Sequence, residues 1–273
     1  MGFWKKPASE TQITHGDRLW LYVVALVIML LLIIPTVIVV PMSFSDSQYL
    51  EFPPSHWSLR WYEEYFDSAK WMRSTMTSFQ IGVLTMLVAT PLGTMAAYAL
   101  YVSEHRAART IFVFLITPMI VPVILIAIGT FYVFGQLGLN NTIGGLVLAH
   151  TSLATPLVMI IITAALRTYD LNQERVARSL GASRLKAFFL ITLPQIRFSI
   201  LTAALLSFLT SFDEVIISIF ISGGVNATLT KQMFSALRDY IDPTIAAIST
   251  IMVFISTTLL LATQFFEARK DKK

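Results

Sequence analysis

The sequence has no cysteine and little charge. Only 13% of its 273 residues are Asp, Glu, Lys or Arg, whereas 55% are hydrophobic. The absence of cysteine excludes disulfides and thiolate metal sites, but it does not indicate a cellular compartment. So few charges among so many apolar residues are typical of integral membrane proteins rather than soluble domains. The net charge of +4 does not indicate nucleic acid binding, because the basic residues lie in separate loops instead of on one soluble face.

The sequence also lacks the short motifs of nucleotide hydrolysis and of hydrolytic catalysis. It contains no Gly-x-x-x-x-Gly-Lys-Ser/Thr, so the chain has no phosphate-binding loop of its own. Neither His-Glu-x-x-His nor Gly-x-Ser-x-Gly occurs, and the 11 methionines are scattered without a repeated spacing. We therefore predict a non-catalytic chain that binds no metal or cofactor itself.

Long apolar runs predict an all-α membrane protein with six transmembrane helices. A helix needs about 20 apolar residues to cross the hydrocarbon core of a bilayer. The first run is longer than a signal-peptide core and has no small-residue cleavage site after it, so we expect it to remain as a span. The predicted spans are about 19–42, 75–102, 111–134, 143–166, 196–222 and 244–266, between an N-terminal tail, 1–18, and a C-terminal tail, 267–273.

The distribution of positive charge predicts the orientation of these spans. Of the 20 Lys and Arg residues, 15 lie in the tails and in the alternate loops that share their side, and 5 lie on the opposite side. Cytoplasmic loops are enriched in Lys and Arg. We therefore expect both termini, and the loop 167–195 between the fourth and fifth spans, to be cytoplasmic.

The loop 167–195 has the most specific pattern in the chain. Gly181 suits the left-handed turn that ends a short helix, and a second helix is expected to begin near Ala182. Such a basic and partly apolar pair of helices indicates a docking element, and an ordinary cytoplasmic loop is the alternative. The second helix has side chains at three- and four-residue spacings, namely Leu185, Phe188, Phe189 and Thr192.

This loop closely resembles the signature loop of type I ABC-importer permeases. The family pattern is Glu-Ala-Ala, three residues, Gly, nine residues, Ile, one residue and Leu-Pro. Arg175 stands where the family usually has its glutamate, and Glu174 lies one residue earlier, so the ion pair of that glutamate is shifted or lost here. Val176 replaces the middle alanine. The matching residues are Ala177, Gly181, Ile191, Leu193 and Pro194.

The resemblance implies a type I ABC-importer permease fold in the bacterial inner membrane. Permeases of this family act in pairs, receive solute from an extracytoplasmic binding protein, and place the signature loop as a coupling helix in a groove on an ATPase subunit. ATP and Mg would be held by that ATPase dimer, and lipid would be the other partner. The coupling residues implied here are Glu174, Arg175, Val176, Ala177, Arg178, Gly181, Ala182, Phe188, Ile191, Leu193 and Pro194.

The fifth predicted span carries a stripe of polar side chains. Acids at membrane depth usually face a bundle interior or a watery cavity, so Glu214 is the leading candidate for lining a translocation path. Asp213 lies outside the stripe, and we expect it to pair with a neighbouring helix or loop. The alternative is that both acids are polar helix ends at the membrane surface. On one continuous helix, an arc of about 100° contains Ser207, Thr210, Ser211, Glu214 and Ser218.

Within the family, the sequence is most similar to the second permease of spermidine/putrescine transporters. The similarity rests on Ser211-Phe-Asp213-Glu214-Val and on Asp242-Pro243-Thr-Ile-Ala-Ala. Polyamine permeases usually have Pro-Glu followed by Asn-Ala-Leu at the second place, so this chain departs there. The resemblance implies a polyamine or a related cationic solute. Import of an opine, a phosphonate or ferric ion is the alternative, and an ion-coupled secondary carrier is a second class.

Two further features have a structural and a functional interpretation. The aromatic residues from Trp57 to Phe66 cover one half of a helix that we expect to lie flat at the outer interface. They are a membrane-interface belt or a contact near a solute-binding protein. His150, in the fourth span, is more often packed or interfacial than a proton relay at such a position.

Overall fold

The computed structural model describes residues 14–103, 105–168 and 170–268, with side chains to residue 261. Most of the predicted tails, 1–13 and 269–273, therefore lies outside the described residues, and so does Tyr169 of the predicted loop. The described chain is helical, with an isolated β bridge between Ser45 and Trp57. This agrees with the all-α class.

Four helices of the described chain are long and apolar enough to cross a membrane. Two bent pairs meet the same criterion together, at angles of 91° and 78°, so that six spans result if each pair counts as one. The long helices are α1 (Leu19–Ser43), α3 (Ala69–Tyr101), α6 (Ile143–Arg167) and α13 (Thr244–Ala268). The bent pairs are Ala108–Met119 with Val123–Gln136, and Arg184–Gln195 with Arg197–Phe212.

Shorter helices connect these elements. After α1 comes α2 (Arg60–Asp67), and the first bent pair contains α4 (Ala108–Ile116), a 3-10 turn (Thr117–Met119) and α5 (Val123–Gln136). After α6 follow α7 (Asn172–Ser179), α8 (Arg184–Ala187), a π-helical turn (Phe188–Thr192) and α9 (Leu193–Gln195). The remaining helices are α10 (Arg197–Phe212), α11 (Ile216–Ile221) and α12 (Leu229–Asp239).

The chain divides into two compact units. One contains Met1–Tyr65 and Ile241–Val253, and the other contains Phe66–Tyr240 and Phe254–Lys273. In the first unit, the end of α1 is tied to α2 by a hydrogen bond between the Ser43 and Tyr62 hydroxyls, 2.7 Å apart. Phe44 packs on Tyr62 with ring centroids 5.2 Å apart.

The aromatic segment before α3 differs from the prediction. Trp57 is not helical but pairs with Ser45 in the bridge, and it is 70% exposed. The helix begins later, at Arg60, and just before it the Ser58 hydroxyl accepts a hydrogen bond from the Arg60 N–H, 3.1 Å away. Trp61 and Tyr65 are buried, so only part of the predicted aromatic face is available to a membrane interface.

In the second unit, small residues of α3 allow close packing against α6. Ala89, Gly93 and Ala97 recur every four residues, a spacing that lets helix backbones approach in membranes. A Cβ atom at Gly93 would lie 2.7 Å from the Val158 Cβ, closer than carbon atoms approach without displacement. Met159, Ile162 and Leu166 of α6 continue this core.

The predicted third span, 111–134, is not one continuous helix. It turns through 91° after the 3-10 turn that ends at Met119. Pro118 is the second residue of that turn, and Pro122 lies at the N-cap of α5, where the Leu125 N–H donates to its carbonyl oxygen at 2.9 Å. Proline lacks an N–H and disfavours a helical residue before it, which accounts for the break at this pair.

Candidate functional site

The loop after α6 contains the helix–glycine–helix structure expected from its sequence. Gly181 has φ +93°, in the left-handed region. The Ala182 N–H donates to the Ala177 carbonyl oxygen at 3.1 Å, and the Gly181 N–H donates to the Arg178 carbonyl oxygen at 3.0 Å. These two bonds form a Schellman motif, which satisfies the last carbonyl groups of α7 and turns the chain sharply.

The second helix of the loop is irregular. It starts at α8, where the Ser183 hydroxyl accepts a hydrogen bond from the Lys186 N–H at 3.3 Å, and it then widens into the π-helical turn. Because a π turn has more residues per turn than an α-helix, the predicted common face does not form. Phe188 and Thr192 are buried, whereas Leu185 and Phe189 are 71% and 57% exposed.

Glu174 is a buried carboxylate that connects the loop to α3. Its side chain is 4% exposed. The Tyr98 hydroxyl donates to Oε1 at 2.5 Å, and the Thr192 hydroxyl donates to Oε2 at 3.0 Å. No cation pairs with this carboxylate in the described part of the chain. The glutamate therefore forms internal hydrogen bonds instead of an ion pair and is not available to a partner protein.

The loop has further contacts with the bundle. The Phe188 ring packs on the Tyr98 ring with centroids 4.5 Å apart, within the core formed by α3 and α6. The Gln195 side-chain amide donates to Oε1 of Gln173 at 2.6 Å, which joins the two ends of the loop. Phe188, predicted as a coupling residue, thus contributes an internal contact. These contacts connect the loop to the helices of the bundle.

The outer surface of the loop combines apolar and basic side chains. Arg175, Arg178 and Arg184 are exposed, and Ala177, Ala182, Ile191 and Leu193 are partly exposed. Large exposed apolar groups beside fixed charges are typical of protein-binding surfaces, although they also face lipid in membrane proteins. The largest exposed apolar side chains here are Val176 at 57%, Leu180 at 83%, Leu185 at 71%, Phe189 at 57% and Leu190 at 65%.

A cleft of about 170 Å³ lies between this loop and the end of α3. Its walls come from the end of α3, from α7 and from the beginning of α8. The lining residues are Tyr101, Val102, Ser103, Leu171, Glu174, Arg175, Arg178 and Arg184.

The polar segment of the fifth predicted span lies at a break between helices. We expected one helix through Ser218, but α10 ends at Phe212 and α11 begins at Ile216. Oε1 of Glu214 accepts a hydrogen bond from the Ile217 N–H at 2.7 Å and so caps α11. The Thr230 hydroxyl of α12 donates to the Glu214 carbonyl oxygen at 2.8 Å. The Lys231 ammonium, whose pKa is lowered by burial, donates to the Ser222 carbonyl oxygen.

Two of the three serines of the stripe, Ser211 and Ser218, bond to a histidine on α6. His150 is 1% exposed, and its Nδ1 lies 2.8 Å from the Ser211 hydroxyl, while its Nε2 lies 3.4 Å from the Ser218 hydroxyl. The Ser211 hydroxyl also donates to the Thr85 hydroxyl of α3 at 3.3 Å. His150 is thus packed, as expected, and it holds together the helices on both sides of the break.

The environments of Asp213 and Glu214 are the reverse of those predicted. We expected Asp213 to pair with a neighbouring helix or loop, but its side chain is exposed and has no polar partner among the described residues. The half-buried Glu214 is the acid engaged in a hydrogen bond. Of the other stripe residues, Ser207 is fully buried, and Thr210 donates to the Leu206 carbonyl oxygen at 2.8 Å. Asp213 is therefore the more accessible acid.

The sequence did not predict the hydrogen-bond partners of Glu174 and Ser211. Tyr98 lies 76 residues from Glu174, and His150 lies 61 residues from Ser211. No local periodicity connects residues so far apart. The fold and the loop together nevertheless define a class of protein, a helical membrane subunit with an exposed helix–glycine–helix loop bonded to its transmembrane core.

Comparison with known proteins identifies the family. Residues 89–272 match the family described as the binding-protein-dependent transport system inner membrane component. The chain belongs to this family and is a permease of the ABC-importer class, as the signature loop indicated. The prediction of family membership is confirmed.

Curated relatives match over most of their length. The chain is 31% identical over 263 residues to the putrescine transport system permease protein PotI of Escherichia coli K12, covering 93% of this chain and 92% of the relative. It is 29% identical over 241 residues to the spermidine/putrescine transport system permease protein PotC of Haemophilus influenzae, covering 88% of this chain and 93% of the relative.

Solved structures share the fold at lower identity. A chain of a bacterial alginate ABC transporter, in complex with an alginate pentasaccharide-bound periplasmic protein, matches with a TM-score of 0.71 and 14% identity, covering 95% of this chain and 98% of that one. A chain of the MetNI methionine ABC transporter, in an inward-facing conformation, matches with a TM-score of 0.55 and 14% identity over 73% of this chain and 97% of that one. These similarities establish the fold.

Proposed function

We propose that this chain pairs with a second permease subunit to form the solute pathway of an ATP-driven importer. The loop 167–195 would dock on one subunit of a cytoplasmic ATPase dimer, which would hold ATP and Mg. The observation that carries this proposal is the exposed helix–glycine–helix loop, whose apolar and basic surface is bonded through Glu174 to α3. Such a loop combines a surface for a partner with a rigid connection to the membrane helices.

The same contacts suggest how ATP binding would act on the pathway. Closure of the ATPase dimer would move the docked loop. The Glu174 hydrogen bonds and the Tyr98–Phe188 ring contact would transmit this movement to α3, which packs on α6 and α10. Interfaces of this kind change between discrete arrangements rather than deform gradually. The loop and α3 would thereby switch the solute cavity between inward and outward access.

The location of the complex follows from charge and from the relatives. We place both termini and the loop in the cytoplasm of a bacterial cell, because 15 of the 20 Lys and Arg residues lie on that side of the predicted spans. The opposite side would then receive solute from an extracytoplasmic binding protein. Nearly all side chains of α1 are exposed, which leaves this helix available to lipid or to the second permease.

The solute that we propose is putrescine, spermidine or a related cation. The named relatives transport polyamines, and a carboxylate at the break between α10 and α11 is exposed. Negative groups along a pathway raise the local concentration of cations. The pathway residues that we propose are Ser207, Thr210, Ser211, Asp213, Glu214 and Ser218, with the serines shaping the break and the acids attracting solute.

The proposal is tested by ATP hydrolysis in the purified complex. The two permeases, the co-purifying ATPase and the binding protein are reconstituted in lipid nanodiscs, and phosphate release is measured with putrescine, spermidine, an opine, a phosphonate, ferric ion or an unrelated sugar. We expect hydrolysis to rise with a polyamine and the binding protein together, and not with the sugar.

Two other outcomes would separate the importer mechanism from the polyamine assignment. Stimulation by an opine, a phosphonate or ferric ion would keep the importer and contradict the polyamine assignment. The absence of any associated ATPase would contradict the importer mechanism and favour an ion-coupled carrier.

A further inference from the structure

The cleft beside the loop concentrates positive charge. Arg175 and Arg178 lie three residues apart on one side of α7, and Arg184 begins α8 on the other side of the glycine turn. All three are exposed. Like charges held this close repel one another unless an anion lies between them. The cleft is thus a preformed site for an anionic group.

The carboxylates near the loop offset only part of this charge, because the cleft lining contains one carboxylate, that of Glu174, and three arginines. Both oxygens of Glu174 accept hydrogen bonds from hydroxyl groups. Oδ1 of Asp170 accepts from the Asn172 N–H at 2.9 Å at the start of α7. The only ion pair within the described residues joins Arg238 and Asp239, far along the chain. The cleft therefore keeps an excess of positive charge that an anion from a partner can neutralise.

The surroundings favour a protein side chain as that anion. Val176, Leu180 and Leu185 are large exposed apolar groups on the same two helices. An apolar surface around a charged centre excludes water when a protein covers it, and this strengthens the enclosed ion pair. A volume of about 170 Å³ has room for one side-chain carboxylate.

We propose that the cleft receives an Asp or Glu side chain of the ATPase subunit. This inference rests on the docking role proposed for the loop. Arginine presents a planar fork of N–H donors that suits a carboxylate in two-point contact. The apolar groups would supply contact area, while the arginines would fix the register of docking and select an ATPase that carries the acid.

Cross-linking tests the inference, because a lysine in place of one of these arginines carries an amine that can be coupled to a neighbouring carboxylate. In the Arg175→Lys variant of the assembled complex, a water-soluble carbodiimide activates a carboxylate, and the lysine amine attacks it. An amide bond forms, and the carboxylate oxygen leaves in the urea by-product. Peptide mass spectrometry then identifies both residues. We expect an amide between residue 175 of the variant and an Asp or Glu of the ATPase.

The Arg197→Lys variant is the matched control. Arg197 is also exposed, but it lies over the Phe198 ring at 4.9 Å and does not line the cleft. It should give no cross-link to the ATPase. Native Lys186 is present in both variants and serves as an internal reference for the reagent.

Charge reversal provides a second measurement. Arg178→Glu should weaken retention of the ATPase at least roughly tenfold at physiological salt, as expected when a docked charge pair becomes repulsive. Replacement of the cross-linked acid by Lys in the ATPase should restore retention. A retention that Arg178→Glu leaves unchanged would overturn the inference.

Failure of this inference is distinguishable from failure of the importer proposal. If the ATPase co-purifies but the Arg175→Lys variant cross-links only to acids of its own chain, or to none, the cleft assignment is wrong and docking itself stands. Loss of hydrolysis that follows removal of anionic lipid, without a cross-link, would assign the cleft to a lipid headgroup instead. If no ATPase co-purifies, the importer proposal fails first.

Discussion

At the scale of single residues, the proposed transmission of movement from the loop to α3 depends on Glu174. It joins α7 to α3 and to the π-helical turn through one carboxylate. Glu174→Ala removes the acceptor of both hydrogen bonds, each worth about 1.5–3 kcal/mol when one partner is charged. We expect the variant to assemble with the ATPase but to transport at least roughly tenfold less solute per ATP hydrolysed.

The conservative replacement separates this role from a general loss of structure. Glu174→Gln keeps one carbonyl oxygen as an acceptor and replaces the other oxygen by an NH2 group of similar shape, which can donate to a hydroxyl oxygen, so transport per ATP should stay near that of the wild type. Parallel measurements of uptake and phosphate release give the ratio. Equal ratios for Glu174→Ala and the wild type would contradict the account.

The two acids at the helix break make a second residue-scale prediction. Asp213 is exposed, whereas the Glu214 carboxylate caps α11. Asp213→Asn should therefore raise the KM for putrescine by about a factor of five, equivalent to roughly 1 kcal/mol for one exposed charge. Glu214→Gln should have a smaller effect on KM, and Asp213→Glu should retain the wild-type value. Uptake assays at matched expression check this, and an unchanged KM for both neutral variants would remove the acids from the pathway.

At the scale of elements, the turn between α7 and α8 determines how the loop is presented. Gly181 has φ +93°, and no atom lies within 4 Å of where its Cβ would be, so a substitution there acts through the backbone. Side chains in this region cost about 1–2 kcal/mol, and an added acid also lies beside the basic surface. We expect Gly181→Asp to reduce solute-stimulated ATP hydrolysis severalfold.

Gly138 offers the matched control for this element. It has φ +68° and equally open surroundings, but it lies in the loop between α5 and α6. Gly138→Asp should therefore leave stimulated hydrolysis close to that of the wild type. If the two variants behave alike, the effect is a general loss of stability and not a loss of coupling.

The helices and turns also show which parts of the fold can be predicted from the sequence. The turn at Gly181 was predictable because it depends on a local conformational preference. The end of α10 at Phe212 was not, because the residues that follow include no proline or glycine up to Ser222. That break is accompanied by distant contacts, the hydrogen bond from Thr230 and the bonds of His150 on both sides. Periodicity alone therefore predicted a continuous stripe where the chain turns.

At the scale of the whole molecule, composition and family pattern were sufficient for class and fold. An apolar fraction of 55% indicated a membrane protein, and the spacing from Ala177 to Pro194 indicated the permease family to which residues 89–272 belong. The internal contacts of the loop could not be predicted from the sequence. Glu174 and Phe188, which the family pattern places at the docking surface, are buried in this chain. The surface available to a partner is consequently formed by their exposed neighbours.

ATP-driven uptake tests the central claim most directly. Proteoliposomes containing both permeases and the ATPase are prepared with the ATPase facing inward and ATP enclosed, and the binding protein and radiolabelled putrescine are added outside. The account predicts accumulation that requires enclosed ATP and the binding protein, that is absent with enclosed ADP, and that Gly181→Asp reduces severalfold while Gly138→Asp does not. Accumulation driven by an ion gradient without ATP would contradict it.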